Sequence, residues 1–277
     1  MIKKIQKIDG VVEDFNISKL KRSIRKAGAP EELVDGIARE ISKDKKIHST
    51  KDIHSKVYQA LVKSKPSAAA RYSLKKALHS LGPTGYPFEK YIASIYHYMG
   101  YQTKVNITLQ GSCVTHEMDV IARTASDLLY VECKYHQSQS AKSNVKIPLY
   151  VQARAEDLIE YQKNVEPDGT KFHFFIATNT KFTTDAVQYS RCKGLKLLSW
   201  EQPEEDPLPQ VIDRYGLHPV SSLTCLTRAQ SVRLIENGVV MVRNVPEMYR
   251  EMSKAGLQPD VIRNAIKESE DILDMMS

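Results

Sequence analysis

Hydrophobic periodicity predicts an α/β domain with a mixed sheet at the centre of this chain. A basic segment of one hairpin and several helices precedes it, and a small helical module follows. Three observations carry this. Phe88, Tyr91, Ile92, Ile95 and Met99 recur at helical spacing, and a second helical stretch lies near Val151 to Asn164. QTKVNITL, EMDVIA and DLLYVECKY have strand character. FHFFIATN is short and almost wholly apolar, as in a strand buried on both faces. The resulting order, αβββαβαβ, suits helices packed around a mixed sheet.

The 277 residues allow one large domain or two to three ordinary ones. A hydrophobic fraction of 42% with 26% charged residues is that of a soluble globular protein. No apolar run approaches the ~20 residues that span a bilayer, and MIKKIQKIDG lacks a signal-peptide core, so no membrane is expected. Cys113, Cys133, Cys192 and Cys225 form no CxxC pair, which argues against a zinc knuckle or redox pair and for a reduced, cytoplasmic protein. The net charge of +7 is uneven: residues 1–84 hold 19 Lys and Arg against 9 Asp and Glu. Such a segment suits a polyanion, DNA or a triphosphate, and equally a solvated lysine-rich surface.

The first segment, 1–82, opens with KKIQKI and VVEDF around Asp9-Gly10, a two-residue hairpin signal. Ile17, Leu20, Ile24 and Ala27 make the stripe of a helix that Gly28 stops. Pro30 opens a second helix to about Ile41. Ser49 with Asp52 forms a capping box before a third, containing Ile53, Val57 and Leu61. Pro66 opens a fourth that reaches Leu81, and Gly82-Pro83-Thr84-Gly85 reads as a linker. In the second segment, 83–206, Pro87 opens the first helix and Gly100 closes it; a helix from Thr184 to Lys193 and the strand LKLLSW complete the domain. The third segment, 207–277, reads as helices around LTRAQSVRLIENG and two later amphipathic stretches.

The chemistry concentrates in EMDVIARTASDLLYVECK. A hairpin centred between Ala125 and Ser126 places Asp119 opposite Glu132 and Glu117 opposite Lys134, and strand alternation then points all four from one face. Opposed carboxylates repel. A divalent cation removes that conflict, because Mg²⁺ accepts one or two carboxylates, keeps several waters and takes its other ligands from phosphate. It also lowers the pKa of a bound water and neutralises charge on a phosphodiester. Lys134 is spaced to orient that water or to stabilise the phosphate. A slip of one residue breaks the arrangement, and the same residues also read as a charged outer face with a Glu117–Lys134 ion pair.

From about Pro83 to Trp200 the segment resembles Mrr-type restriction endonucleases of the PD-(D/E)xK superfamily. GYPFEKYIASIYHYMGYQ is similar to the family's opening helix with Glu89 at its acidic position. HEMDVIA carries its Asp as Asp119, VECK its Glu-x-Lys as Glu132 and Lys134, and FFIATNTKFTTDAVQYSRCKGLKLLSW its late strand–helix–strand. The resemblance implies a restriction-endonuclease-like αβββαβ core, Mg²⁺ or Mn²⁺ on Asp119 and Glu132, and catalysis by Asp119, Glu132 and Lys134. Glu89 and Gln152 are further candidates, Gln152 equally an ordinary helix-surface residue. It implies a type IV-like DNA endonuclease acting on foreign or modified, double-stranded DNA, with paired subunits. GSCVTHE stands where the family often has a Gly-rich stretch.

Residues 2–82 resemble the ATP-cone, a nucleotide-sensing domain, through IQKIDGVVEDFNISKLKRSI, IHSTKDIHSKV and ARYSLKKAL. The resemblance implies ATP or dATP as effector, with Lys7, Glu13, Asn16 and Lys19 as contacts, Ile5 and Leu20 against the base, and Thr50 and His54 in the second motif. It departs at Ile8, where the family usually has Arg. His48, His79 and His97 read as ordinary polar residues. LTRAQSVRLIENGVVMVRNV and MSKAGLQPDVIRNAIKESEDIL loosely resemble tandem helix-hairpin-helix units, and equally a protein-interaction module. Three readings follow: a metal-dependent DNA endonuclease modulated by ATP or dATP and acting as an oligomer, a nucleotide-responsive DNA-binding regulator on an inactive nuclease fold, and an RNase on the same fold.

Overall fold

The computed structural model describes residues 4–7, 10–82 and 84–274. It divides into two compact units, Met1–Ala77 with His218–Ser277, and Leu78–Leu217. The third segment of the sequence, 207–277, is therefore shared between them, with residues up to 217 on the central unit.

The chain starts with β1 (Lys4–Gln6) antiparallel to β2 (Val12–Asp14), Ile5 facing Glu13. Gly10 has φ 85°, a conformation glycine adopts without steric penalty; Ile8 and Asp9 lie outside the described residues. Helix α1 (Ile17–Lys26) is capped by Asn16, whose side chain accepts the Lys19 N–H at 2.9 Å. Helix α2 (Glu31–Lys43) follows Pro30, and α3 (Thr50–Ser64) starts from the Ser49–Asp52 capping box. The fourth helix, expected to run unbroken from Pro66 to Leu81, is instead two: α4 (Pro66–Tyr72) and α5 (Leu74–Leu78). Between them the Ser73 hydroxyl turns back to the Ala70 carbonyl at 3.2 Å, a local bond that competes with helical continuation. Ile5, Leu20, Ile24, Val34, Ile37, Ile41, Val57 and Leu61 close one core.

In the central unit, α6 (Tyr86–Tyr98) leads into a five-stranded sheet ordered β3 (Gln102–Gln110), β4 (Thr115–Arg123), β5 (Asp127–Lys134), β7 and β9. A short β6 (Lys142–Ser143) precedes α7 (Lys146–Gln162), which begins five residues ahead of the expected Val151. Then come β7 (Lys171–Thr178), β8 (Lys181–Phe182), α8 (Thr184–Lys193), β9 (Lys196–Leu198) and α9 (Leu208–Tyr215). The first three strands are antiparallel, and β7 and β9 add in parallel beyond β5, so the sheet is mixed. Val151, Ala155 and Leu158 of α7 and Ala186 of α8 share a core with Tyr130 and Phe174. The Tyr91 hydroxyl of α6 donates to the Leu217 carbonyl at 2.7 Å, fastening the end of this unit to its first helix.

The chain then returns to the first unit through α10 (Arg228–Glu236), α11 (Tyr249–Lys254) and α12 (Pro259–Asp274). Helix α12 packs on α4, and the Ser221 hydroxyl donates to the Ala77 carbonyl at 2.8 Å. Buried Glu268 accepts the N–H groups of Thr224 (2.7 Å) and Cys225 (3.0 Å), holding the approach to α10. Among the described residues no helix is long and apolar enough to cross a membrane.

The tip of the β3–β4 hairpin wraps the Asp157 carboxylate of α7, which accepts the Cys113 N–H (2.6 Å) and pairs with His116 Nε2 (2.6 Å). These bonds hold the Asp157 carboxyl at about 2, His116 contributing most. A Cβ at Gly111 would stand 2.2 Å from Asp157 Oδ2 and 2.8 Å from the Val114 carbonyl oxygen. Gly111→Ala should therefore destabilise the protein by about 1–3 kcal/mol, measured by urea denaturation.

Candidate active site

The β4–β5 hairpin has the register that the sequence predicts. Val120 faces Val131, Ile121 faces Tyr130 and Ala122 faces Leu129. The ladder stops at Val120–Val131, one step short of Asp119 and Glu132. Beyond that step the Asp119 carboxylate takes the place of a ladder carbonyl and accepts the Cys133 N–H at 2.6 Å. Lys134 does not pair with Glu117 across the hairpin; its ammonium donates to Glu132 on its own strand at 2.6 Å. Burial alternates along β4, with Met118, Val120 and Ala122 buried. Glu117, Asp119 and Glu132 line one cavity, while Lys134 is held by Glu132 on its own strand.

Glu132 is only 4% exposed. A buried carboxylate needs charge-assisted partners, and it has two: Lys134, and Arg154 of α7 at 2.5 Å. Arg154 is itself buried and also donates to the Glu117 carbonyl and lies 3.4 Å from Met118 Sδ. Burial acts against the Lys134 ammonium, but Glu132 and Asp119 outweigh it and hold its pKa above the usual lysine value.

At the other two carboxylates burial and neighbouring negative charge outweigh the favourable contacts. Burial, then the charge of Glu132, pushes Asp119 up to about 6. Burial, then Asp119, Glu117 and Glu132, pushes Glu89 up to about 7, and a hydrogen bond from Asn106 partly offsets this. Glu89 stands in the first turn of α6, where Gly85 leaves room beneath its carboxylate. A small polar cavity of about 260 Å³ opens at Asp119, lined also by Thr115, His116, Glu117, Glu132, Tyr150 and Arg154.

Crowded carboxylates beside a polar cavity fit a hard cation. No three His, Cys, Asp or Glu side chains among the described residues converge to enclose a metal by themselves. Two carboxylates, Asp119 and Glu132, on one polar cavity suit an ion that keeps waters and takes phosphate oxygens.

Gln152 is not brought to this cavity. Tyr150 and Arg154, at i and i+4 on α7, line it, whereas Gln152 lies out of phase and donates to Glu156 at 2.9 Å along the helix surface. Arg154 and Asn106 went unread in the sequence. Arg154 did leave a signal, an arginine on the apolar stripe of Val151, Ala155 and Leu158. Asn106 left none, since it sits in a polar alternation with Gln102, Lys104 and Thr108.

In the first unit, Lys7 pairs with Glu13 at 2.7 Å and Lys19 approaches the same carboxylate at 3.9 Å. Asn16 spends its side chain on capping α1. Ile5 and Leu20 are buried within the core. Thr50 is the first residue of α3, and His54 stacks on Tyr72 with ring centroids 4.8 Å apart; burial lowers its pKa.

A mixed αβββαβ sheet with Asp119, Glu132 and Lys134 on adjoining strands is a restriction-endonuclease-like fold. Residues 82–202 match the restriction endonuclease model Mrr_cat, and residues 3–81 match the ATP cone domain. An uncharacterized protein of Archaeoglobus fulgidus is 30% identical over 175 residues, 63% of this chain and 95% of that relative. The crystal structure of the protein of unknown function AF1548 is similar with a TM-score of 0.56 and 28% identity, over 69% of this chain and 99% of that one. The chain carries an ATP cone domain followed by an Mrr-type restriction endonuclease domain, and it belongs with the Archaeoglobus relative to one family.

Arg154→Ala leaves Glu132 with one partner, and stability should fall by about 3–5 kcal/mol in urea denaturation of metal-free protein; adding Glu132→Gln should recover part of it. Glu89 binds its proton more tightly folded than unfolded. Its contribution is thus fully present below the unfolded pKa and is lost as pH rises through about 7. Between pH 5 and 8 the melting temperature of metal-free Glu89→Gln should fall less than that of the parent.

Proposed function

We propose that this protein is a divalent-metal-dependent DNA endonuclease whose activity responds to ATP or dATP. The observation that carries the reading is the compact group of Asp119, Glu132, Lys134 and Glu89, in which two carboxyls are pushed up by burial and mutual repulsion. A bound Mg²⁺ or Mn²⁺ would supply an acidified water and neutralise the phosphodiester. Asp119 and Glu132 would hold it. Asp119 is the anchored member, its carboxylate tied to the Cys133 N–H. Lys134 presents a fixed ammonium to the non-bridging oxygens of the phosphate and stabilises charge that develops there. Arg154 balances Glu132 while the substrate is absent. Exposed Tyr150 at the cavity mouth offers a face to a nucleotide. The substrate in this reading is double-stranded DNA, cut by paired subunits in a cytoplasmic restriction or defence role.

The nucleotide reading rests on the cone and its basic character, with Lys7, Glu13 and Lys19 forming one charged cluster on the hairpin and α1. A second reading, a nucleotide-responsive DNA binder without cleavage, is favoured by one observation: Glu132 is already neutralised internally by two cations.

Incubating plasmid DNA, unmodified and methylated, with Mg²⁺ or Mn²⁺ separates the two. Nicking or linearisation is expected, lost in Asp119→Ala and reduced about 10²–10³-fold in Lys134→Ala. Retention of DNA without strand breaks under every metal condition would select the binder. Isothermal titration of the full chain with ATP and dATP should give binding that Lys7→Ala weakens; silence with both nucleotides removes the regulatory part alone.

A further inference from the structure

We propose that Tyr86 and Tyr150 are stacking plates for the nucleobases on either side of the scissile phosphate, so that the DNA this site takes is unstacked at the cut. The inference deepens the nuclease reading and rests on it.

The two tyrosines stand near the starts of the two helices that bring side chains to the acidic group. Tyr86 is the first residue of α6, and Tyr150 lies near the start of α7. These helices cover opposite faces of the sheet. Adjacent residues of a strand point to opposite faces. On β7, Phe174 packs in the α7 core, while the Phe175 ring meets Tyr96 of α6 with centroids 5.7 Å apart. Both helices nevertheless start beside the end of β5 that carries Glu132 and Lys134. On one side, a Cβ at Gly85 would stand 3.4 Å from Glu89 Oε1 and 4.0 Å from Cβ of Tyr135, the residue after Lys134. On the other, Tyr150 lines the cavity that holds Asp119 and Glu132.

Each ring is backed by a cation from its own helix, four residues on. Lys90 Nζ lies 4.4 Å from the Tyr86 centroid, and Arg154 Cζ lies 5.2 Å from that of Tyr150. A cation drawn to one face by the ring quadrupole steadies the ring and leaves the other face open. Arg154 is itself fixed, by Glu132 at 2.5 Å and by the Glu117 carbonyl. The Tyr150 plate therefore has a set place relative to Glu132. Both rings are well exposed, Tyr86 at 43% and Tyr150 at 56%. Tyrosines that hold this unit together differ: the Tyr91 and Tyr135 hydroxyls donate to the Leu217 and His79 carbonyls. Neither the Tyr86 nor the Tyr150 hydroxyl bonds to another of the described residues.

The reaction supplies the occupant. A strand whose phosphate sits at Asp119 and Glu132 carries one nucleoside on each side of that phosphate. Every base has a π-face, so stacking on an aromatic ring tolerates any sequence. Bases inside a duplex have no free face. Those that meet these tyrosines come from a single strand or are turned out of a duplex.

The test measures DNA binding to the full chain in EDTA and with Ca²⁺ in place of Mg²⁺. The probes are a single strand, a matched duplex and a duplex with a two-base bubble, each containing 2-aminopurine. Single strand and bubble should bind more tightly than the matched duplex, and stacking should quench the 2-aminopurine emission. Tyr86→Leu and Tyr150→Leu should each weaken binding of these two probes at least about 5-fold and restore the emission, with the melting temperature unchanged. Tyr150→Phe keeps the ring and should bind as the parent does. Tyr161→Leu is the control, because Tyr161 is also exposed on α7 but lies about 16 Å further along the helix axis. Tighter binding of the matched duplex, or parent-like binding and quenching in both leucine variants, would overturn the proposal. If the parent stacks 2-aminopurine but cuts no plasmid with Mg²⁺ or Mn²⁺, the nuclease reading fails and the binding comparison still decides the tyrosines. If the parent binds none of the three probes, both fail.

Discussion

A carboxylate that leaves water must be neutralised by groups within hydrogen-bonding reach, and the central unit is organised around one that has left it almost entirely. Glu132 lies near the end of β5 between the Lys134 ammonium and the Arg154 guanidinium. The first partner comes from its own strand and needs only alternation. The second comes from α7, so the helix must be docked on the sheet before the charge is balanced. Arg154 then reaches past Glu132 to the Glu117 carbonyl and ties the β4 strand to the same point. A second device on the same helix, Asp157, fastens the β3–β4 tip. Two polar anchors from α7 therefore hold the hairpins that carry the acidic residues.

The negative charge beyond Glu132 is handled differently. Burial and neighbouring carboxylates outweigh Lys134 and Arg154 at Asp119, and both Asp119 and Glu89 hold their protons more tightly than usual. A protein that merely needed a stable sheet would gain by replacing either with a neutral residue. Their place around a polar cavity is what the proposed metal-dependent reading rests on.

Along the chain, the residues of the central unit interrupt those of the other. The strands and helices of Met1–Ala77 pack with the helices of His218–Ser277, so the chain leaves one core, builds the sheet domain, and comes back. Local signals could not reveal this return. The sequence of 207–277 reads as helices around Gly turns, and its stripes say only that each helix has a buried face. Which surface receives that face is decided by contacts such as α12 on α4 and by Glu268 holding Thr224 and Cys225, all between residues far apart in sequence.

Much of the site was legible from the hairpin itself. The sequence offered the β4–β5 register as one choice that a slip of one residue would break, and the ladder has that register; β5 is buried on both faces, so alternation alone did not select it. Capping boxes and apolar stripes determined most helices, since those interactions span only three or four residues. The tertiary structure decided the rest. It placed Arg154 rather than Gln152 at Glu132, because the docking angle of α7 selects which side chains meet the sheet. It broke the fourth helix at Ser73. It also put a left-handed residue opposite Asp119, which no pattern in QTKVNITL announces. Charge compensation and helix docking are set by neighbours across space, and a one-dimensional pattern carries only the neighbours along the chain.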